Sequence, residues 1–364
     1  MDKNTIWGIL LMGAVIFGFM WLNQPSAEQR AQMEKERQEQ LMAEQEKSAS
    51  TAVLTVDSVN AAEIAGIRST VTALGTLDSV SGVRTLASAG AEVTLSPEGT
   101  LAGTVKSAGK NVPVADIISA DYKGLTPAEA QAALAAFRKA MADAARYRGF
   151  ARYLSGDSTT VRLENSRLTL EISNKGAMIA SASLKDYQTY DSAAVQPMAA
   201  GENAYGFTLT SATQRFDTRE FYFKPVETTD TTVTMQLDLG DGAVWGIRYT
   251  LHPDSYLVTM DLLQQGMSAI IPTSVATIDF TWDQRMTRNE LGRVFEERNS
   301  ALYYMFVGGD VDNLKESGDE TKQLSERVKW IGYKNQFFSS VIIPRTNFTG
   351  AEVSTAVLEN NPKY

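Results

Sequence analysis

The chain has 364 residues, a net charge of −9, no cysteine and a single histidine, His252. The acidic balance excludes a general nucleic-acid binder, which needs a basic face to release phosphate counterions. Without cysteine there are no disulfides, thiol nucleophiles or thiolate metal sites, and one histidine is too few for a zinc enzyme, so no cofactor or metal is expected.

Residues 5–22 read TIWGILLMGAVIFGFMWL, without one charge. Eighteen helical residues cover ~27 Å, close to the ~30 Å hydrocarbon core of a bilayer. Trp7 and Trp21 stand near the two ends, where aromatic rings favour the membrane–water boundary. The expected anchor residues are Thr5, Ile6, Trp7, Leu10, Leu11, Val15, Ile16, Phe17, Phe19, Trp21 and Leu22. A cleaved signal peptide fits less well. Its basic region would be Lys3 alone, the apolar run is too long, and the nearest small-residue cleavage pattern holds Pro25. Residues 1–25 are therefore expected to be a retained signal-anchor helix in a lipid bilayer. Charge does not orient it. Arg30, Lys35 and Arg37 outnumber Lys3 and mildly favour a cytoplasmic C-terminal side, but long domains translocate largely regardless of charge.

Residues 26–47 are strong helix formers with no glycine and no apolar seam, which predicts a solvated spacer helix rather than a coiled-coil stalk. Residues 48–125 are rich in Ala, Gly, Ser, Thr and Val. The stretch from Ser48 to Gly109 has no aromatic residue, so a small β-rich insert and a partly ordered linker fit equally, and a robust independent core is not expected. Residues 126–158 hold a helix and its connection. Thr126 caps it, Pro127 takes the first position, Glu129 completes a capping box, and Leu134, Phe137, Met141 and Ala145 form the expected buried stripe. The basic residues near its end, Arg138, Lys139, Arg146, Arg148 and Arg152, suit the helix macrodipole better than a lipid-facing patch.

From Thr159 to Tyr364 the pattern turns to short alternating runs between Gly, Asn, Asp and Pro. Expected strands include Leu168–Ile172, Met178–Leu184, Tyr205–Leu209, Glu220–Phe223, Thr232–Leu239, Val244–Leu251, Tyr256–Leu262, Ala276–Trp282, Ala301–Val307, Val328–Tyr333 and Phe337–Ile343. No βαβ alternation occurs, so the fold class is mainly β, an antiparallel sandwich or barrel with a few helices.

Little of the chain looks catalytic. Asp279 and Asp283 flank Trp282, a carboxylate pair beside an aromatic as sugar chemistry needs, but four residues along a strand separate them by ~13 Å, outside glycosidase geometry. The acidic loop Gly308–Asn313 lacks the glycine and terminal glutamate spacing of a calcium loop. His252, before Pro253 and Asp254, reads as a turn residue.

The segment Arg327–Ile343, RVKWIGYKNQFFSSVII, closely resembles the end of the periplasmic domain of the YidC membrane-protein insertases. The N-terminus, residues 1–25, is similar to the Bacteroidetes branch of that family, and the Leu168–Tyr187 stretch resembles the start of the same periplasmic domain; Ser48 to about Arg146 matches nothing in it. The resemblance implies an uncleaved anchor with a cytoplasmic N-terminus and a periplasmic, non-enzymatic β-supersandwich over residues 159–364. Implied partners are the Sec translocon, SecDF and nascent membrane proteins. It also implies that insertion is done by a transmembrane bundle beyond this portion, so that the open reading frame continues into further spans. The competing reading is a membrane-anchored carbohydrate-binding or carbohydrate-active sandwich. For partner docking the expected region lies near the membrane at Lys329, Lys334 and Asn335, while Trp330, Tyr333, Phe337 and Phe338 are expected to pack the core.

Overall fold

The computed structural model describes residues 58–314 and 318–357. The expected anchor at Thr5–Leu22, the spacer at 26–47 and the last residues, 358–364, lie outside them.

The described chain opens with helix α1, Ala61–Leu74, whose first turn is closed by the Asn60 side chain accepting from the Glu63 N–H at 2.9 Å. Five strands follow as a meander: β1 (Thr76–Leu77), β2 (Arg84–Ser88), β3 (Ala91–Leu95), β4 (Leu101–Ser107) and β5 (Lys110–Pro113). The β2–β3 and β4–β5 hairpins turn on Ala89–Gly90 and Ala108–Gly109, with positive φ at both residues of each pair. That two-residue turn matches the right-handed twist of the flanking strands, which is why a glycine follows each alanine. Alternation buries Leu86, Ser88, Val93, Leu101, Val105 and Val112 on one face.

After the short helix α2 (Val114–Ser119), helix α3 (Pro127–Tyr147) lays Leu134, Phe137, Ala140, Met141 and Ala144 on that face. The capping box forms: Thr126 Oγ1 accepts from the Glu129 N–H, and Glu129 Oε2 accepts from the Thr126 N–H at 2.8 Å. The stripe ends on Ala144 instead of Ala145, which is exposed, because the helix turns on to bury Tyr147 three residues later. Arg138 pairs with Glu63 on α1 at 2.8 Å, and Ser88 Oγ donates to Ala140 O at 2.6 Å.

Residues 58–125 are thus folded, as the β-rich unit that was one of the two arrangements their composition allows. Their sheet has no aromatic of its own and borrows Phe137 from α3, so the two segments share a core. That core runs on without a break into the β-domain. Phe150, in the 3-10 turn Arg148–Tyr153, stacks on Phe221 at 5.0 Å and tilts against Phe216 at 4.9 Å.

Beyond the turn, every strand pairing among the described residues is antiparallel. Strands β6 (Thr160–Glu164), β7 (Leu168–Ser173) and β8 (Ile179–Leu184) form one sheet. Strand β9 (Asn203–Thr210) lies between β10 (Arg215–Asp217) and β15 (Asp279–Gln284), and β11 (Lys224–Thr228), β12 (Thr232–Gly240), β13 (Ala243–Leu251) and β14 (Val258–Gln265) form a four-stranded sheet. Glu220–Phe223 is not a strand. It begins in a 3-10 turn, Thr218–Glu220, and its backbone is divided between two segments: Tyr222 N–H donates to Tyr153 O, while Phe223 N–H donates to Asn174 O and Phe221 O accepts from Gly176 in the β7–β8 connection.

The C-terminal part builds a separate small core of Leu302, Tyr304, Leu314, Leu324, Val328 and Val353. Above it lies the sheet of β17 (Val311–Asn313), β16 (Ala301–Phe306), β19 (Val328–Lys334) and β20 (Ser339–Ile342), in that order. The pair β18 (Glu320–Leu324) and β21 (Ala351–Thr355) contributes Leu324 and Val353 to the same core.

Candidate interaction surface

In β16 the period-two alternation sends Leu302 and Tyr304 down into the small core and Tyr303 and Met305 to the opposite face. The ladder fixes what surrounds them. Tyr303 pairs with Gly332, which pairs with Val341; Met305 pairs with Trp330 and, on its other side, with Val311. The Trp330 indole N–H points at Met305 Sδ, 3.0 Å away. At Gly332 an added Cβ would come within 2.9 Å of Val341 Cγ2, so the glycine lets the valine lie across the strand. Val311, Val341 and Ile343 are exposed, and Tyr303, Met305 and Trp330 are half-buried. One face of this sheet is therefore apolar, and no element among the described residues covers Val311, Val341 or Ile343 on it.

Its rim is basic. Arg327–Ala351 carries Arg327, Lys329, Lys334 and Arg345 and no acidic residue, within a chain of net charge −9. Lys329 is exposed at a register shift, where Met305 pairs with Trp330 and Phe306 with Val328. The Lys334 ammonium donates to Asn299 O at 3.0 Å and lies 5.6 Å from the centre of the Tyr303 ring. Arg345 pairs with Asp261 at 2.8 Å.

Asn335, expected at a docking surface, is instead buried at 7 % exposure. Its Nδ2 donates to Thr287 O at 2.9 Å, and its Oδ1 accepts from Ser300 Oγ and from the Gln336 N–H at 2.8 Å each. It staples the 285–300 segment to the β19–β20 hairpin from a buried position. The four aromatics also divide. Tyr333 meets Trp282 edge-on at 4.7 Å and donates to Trp282 O at 2.8 Å; burial pushes its phenol up to about 12. Phe338 meets Tyr187 edge-on at 5.3 Å. Trp330 lies on the outer face, and Phe337 at the hairpin tip is exposed, so the expectation of core packing fails for both.

The other candidates are accounted for by local bonds. Asp279 and Asp283 occupy the exposed face of β15, and each meets an arginine: Asp279 pairs with Arg215, and Asp283 with Arg219 at 3.2 Å. His252 Nε2 shares a 2.7 Å hydrogen bond with Thr259 Oγ1 across the β13–β14 turn. In the acidic loop, Asp312 accepts from Lys322 at 2.6 Å and from the Tyr304 hydroxyl at 2.9 Å, and the ammonium leads the causes that hold its carboxyl down at about 2. Among the described residues no group of three or more His, Cys, Asp or Glu could hold a metal ion. An open groove of about 300 Å³ is lined by Arg162, Ser183, Lys185, Tyr187 and Gln188, with Arg162 and Lys185 both tied to Glu164. Among the described residues no helix is long and apolar enough to cross a membrane.

The apolar face was missed in the sequence, although a signal for it exists. Ala301–Val307 is apolar at successive positions, where a strand with one solvated face alternates.

Fold and surface together define an antiparallel β-domain with an uncovered apolar sheet face. Residues 160–364 match the family described as the YidC periplasmic domain, and the chain belongs to this family. It is 31% identical to a membrane protein insertase YidC from Parabacteroides distasonis over 98% of this chain and 46% of the relative. The corresponding protein of Porphyromonas gingivalis strain W83 is 27% identical over 94% of this chain and 44% of its own length. That of Bacteroides fragilis strain NCTC 9343 is 34% identical over 57% and 34%. The chain thus spans about half the length, or less, of these relatives. Among solved structures, a galactose mutarotase-like protein from Lactobacillus casei ATCC 334 aligns with a TM-score of 0.32 at 12% identity, over 53% of this chain and 82% of that one.

Proposed function

We propose that the chain is the anchor and periplasmic portion of a membrane-protein insertase, and that its β-domain docks the machine to neighbouring translocation proteins without enzymatic activity. The carrying observation is the family match over residues 160–364, together with a relative named as an insertase that aligns along 98% of the chain. In this reading Thr5–Leu22 crosses the inner membrane with a cytoplasmic N-terminus, and the β-domain lies in the periplasm. Nascent membrane proteins are handled by a bundle outside this portion, and the Sec translocon and SecDF are the partners.

The apolar sheet face of Tyr303, Met305, Trp330, Val341 and Ile343 suits that docking. Aromatic residues and methionine are enriched at protein interfaces, and Lys329 and Lys334 supply a rim that steers an acidic partner. The carbohydrate reading draws no support from the geometry, since Asp279 and Asp283 are each paired with arginine. Depleting the whole protein in its host and following newly made inner-membrane proteins by protease protection tests the assignment. Slowed insertion is expected; unchanged insertion of every substrate tested contradicts it.

A further inference from the structure

A second apolar feature lies apart from the sheet face. In the segment 285–300, Leu291 is 73 % and Phe295 64 % exposed, and Phe337 on the stapled β19–β20 hairpin is 68 % exposed. Val294 is exposed beside them. Side chains this open stand on convex tips rather than in a groove. They are also held firmly. Glu296, on the short helix Arg293–Arg298 (α4), is 1 % exposed, and its carboxylate accepts the N–H groups of Asn289 and Glu290 at 2.9–3.1 Å. Ser300 Oγ lies 2.8 Å from both Glu296 O and Asn335 Oδ1, and the Arg288 guanidinium donates to Glu290 O while lying 4.6 Å from the Tyr190 ring centre. A buried carboxylate and a buried asparagine thus fix a segment whose large apolar side chains face water.

We propose that Leu291, Val294, Phe295 and Phe337 form a knuckle that seats in the headgroup–acyl boundary of an anionic phospholipid bilayer. Two observations choose lipid over another occupant. First, the same chain carries the membrane-length run Thr5–Leu22, joined to the described domain only by residues 23–57, so a bilayer that takes up the run is held within reach of the knuckle. Second, Arg288, Arg293, Arg298 and Lys334 flank the apolar tips, against Glu290, the Arg293-paired Glu297 and the buried Glu296, which leaves an excess of one positive charge. Apolar tips ringed by a cationic excess are the composition of interfacial membrane contacts. The inference rests on the envelope location proposed above and adds to it a lipid-facing side of the domain.

The test uses the full chain in vesicles. Because it has no cysteine, single Leu291→Cys, Phe295→Cys and Phe337→Cys variants each take one environment-sensitive fluorophore, with Val80→Cys in the exposed β1–β2 turn as the reference. In vesicles of phosphatidylethanolamine and phosphatidylglycerol, the three labels should shift to the blue and lose most of their emission to lipid-borne nitroxide. The label at Val80 should do neither, and phosphatidylcholine alone should weaken the effect. Labels at 291, 295 and 337 that behave like Val80 overturn the proposal. Protection that arises only when purified Sec components are added also overturns it, in favour of a protein contact, and leaves the docking function standing. Lipid contact without any insertion defect on depletion would count against the insertase assignment alone.

Discussion

The hydroxyls of Tyr205 and Tyr249 lie 2.8 Å apart, and both side chains are buried. Their protons have one consistent order. The Ile179 N–H donates to Tyr205, Tyr205 donates to Tyr249, and Tyr249 donates to Ala177 O at 2.7 Å. The chain joins the 177–179 approach to β8, strand β9 and strand β13, which lie in three different sheets. Tyr249→Phe removes the acceptor for Tyr205 and the donor to Ala177, and should cost about 1–3 kcal/mol. Tyr205→Phe should cost a similar amount, and the double variant less than the sum, because the residues form one network. Urea unfolding of the variants measures all three.

The shared core makes the unit of residues 58–150 and the β-domain cooperative. Phe150 is buried between Phe216 and Phe221 at their junction. Phe150→Ala should cost about 3–5 kcal/mol. It should also split one thermal transition into two, the first belonging to the helix-and-meander unit. Calorimetry with limited proteolysis reads both effects; a single unsplit transition would show that the junction carries little of the coupling.

Acid should loosen the start of α3. The Lys110 ammonium, 2.7 Å away, and the Thr126 backbone N–H hold the Glu129 carboxyl down at about 2, from its ordinary 4.5. The folded state prefers the ionised form, so this contribution is fully present above pH 4.5 and is lost as pH falls towards 2. Glu129→Gln should flatten the fall of the urea midpoint across that window. An unaltered pH dependence would assign the acid sensitivity to other carboxylates.

The apolar sheet face should be dispensable for folding. Val341→Asp and Ile343→Asp alter exposed side chains and should change stability by no more than about 0.5 kcal/mol each. In cells they should lower partner association and insertion at unchanged protein level. A large loss of stability would show that the face is covered in the free protein.

Asp279→Asn and Asp283→Asn should each cost no more than about 1 kcal/mol, the range of an exposed ion pair, and should leave thermal unfolding unaffected by added sugars. A sugar-dependent rise in melting temperature, abolished by either substitution, would revive the carbohydrate reading.

Much of the β-domain was legible because its strands alternate, as in Thr232–Leu239 and Val244–Leu251. The α3 start was legible because the capping box is local chemistry. What escaped was tertiary. The sheet of residues 76–113 fitted a β-rich insert and a partly ordered linker equally, since the aromatic that completes its core stands on a helix later in the chain. Asn335 looked like a surface amide, because nothing in RVKWIGYKN announces that Thr287 and Ser300 will close over it. Phe337 looked like core by composition, and only the hairpin geometry sets it outside.

The proposed docking of a membrane-protein insertase to its partners runs through the apolar sheet face. A photo-crosslinking residue at Val341, with Lys106 on the far meander as the reference, tests it most directly in living cells. Adducts between position 341 and Sec translocon or SecDF components, identified by mass spectrometry, are expected, and none from position 106. Adducts from 106 with none from 341 would contradict it.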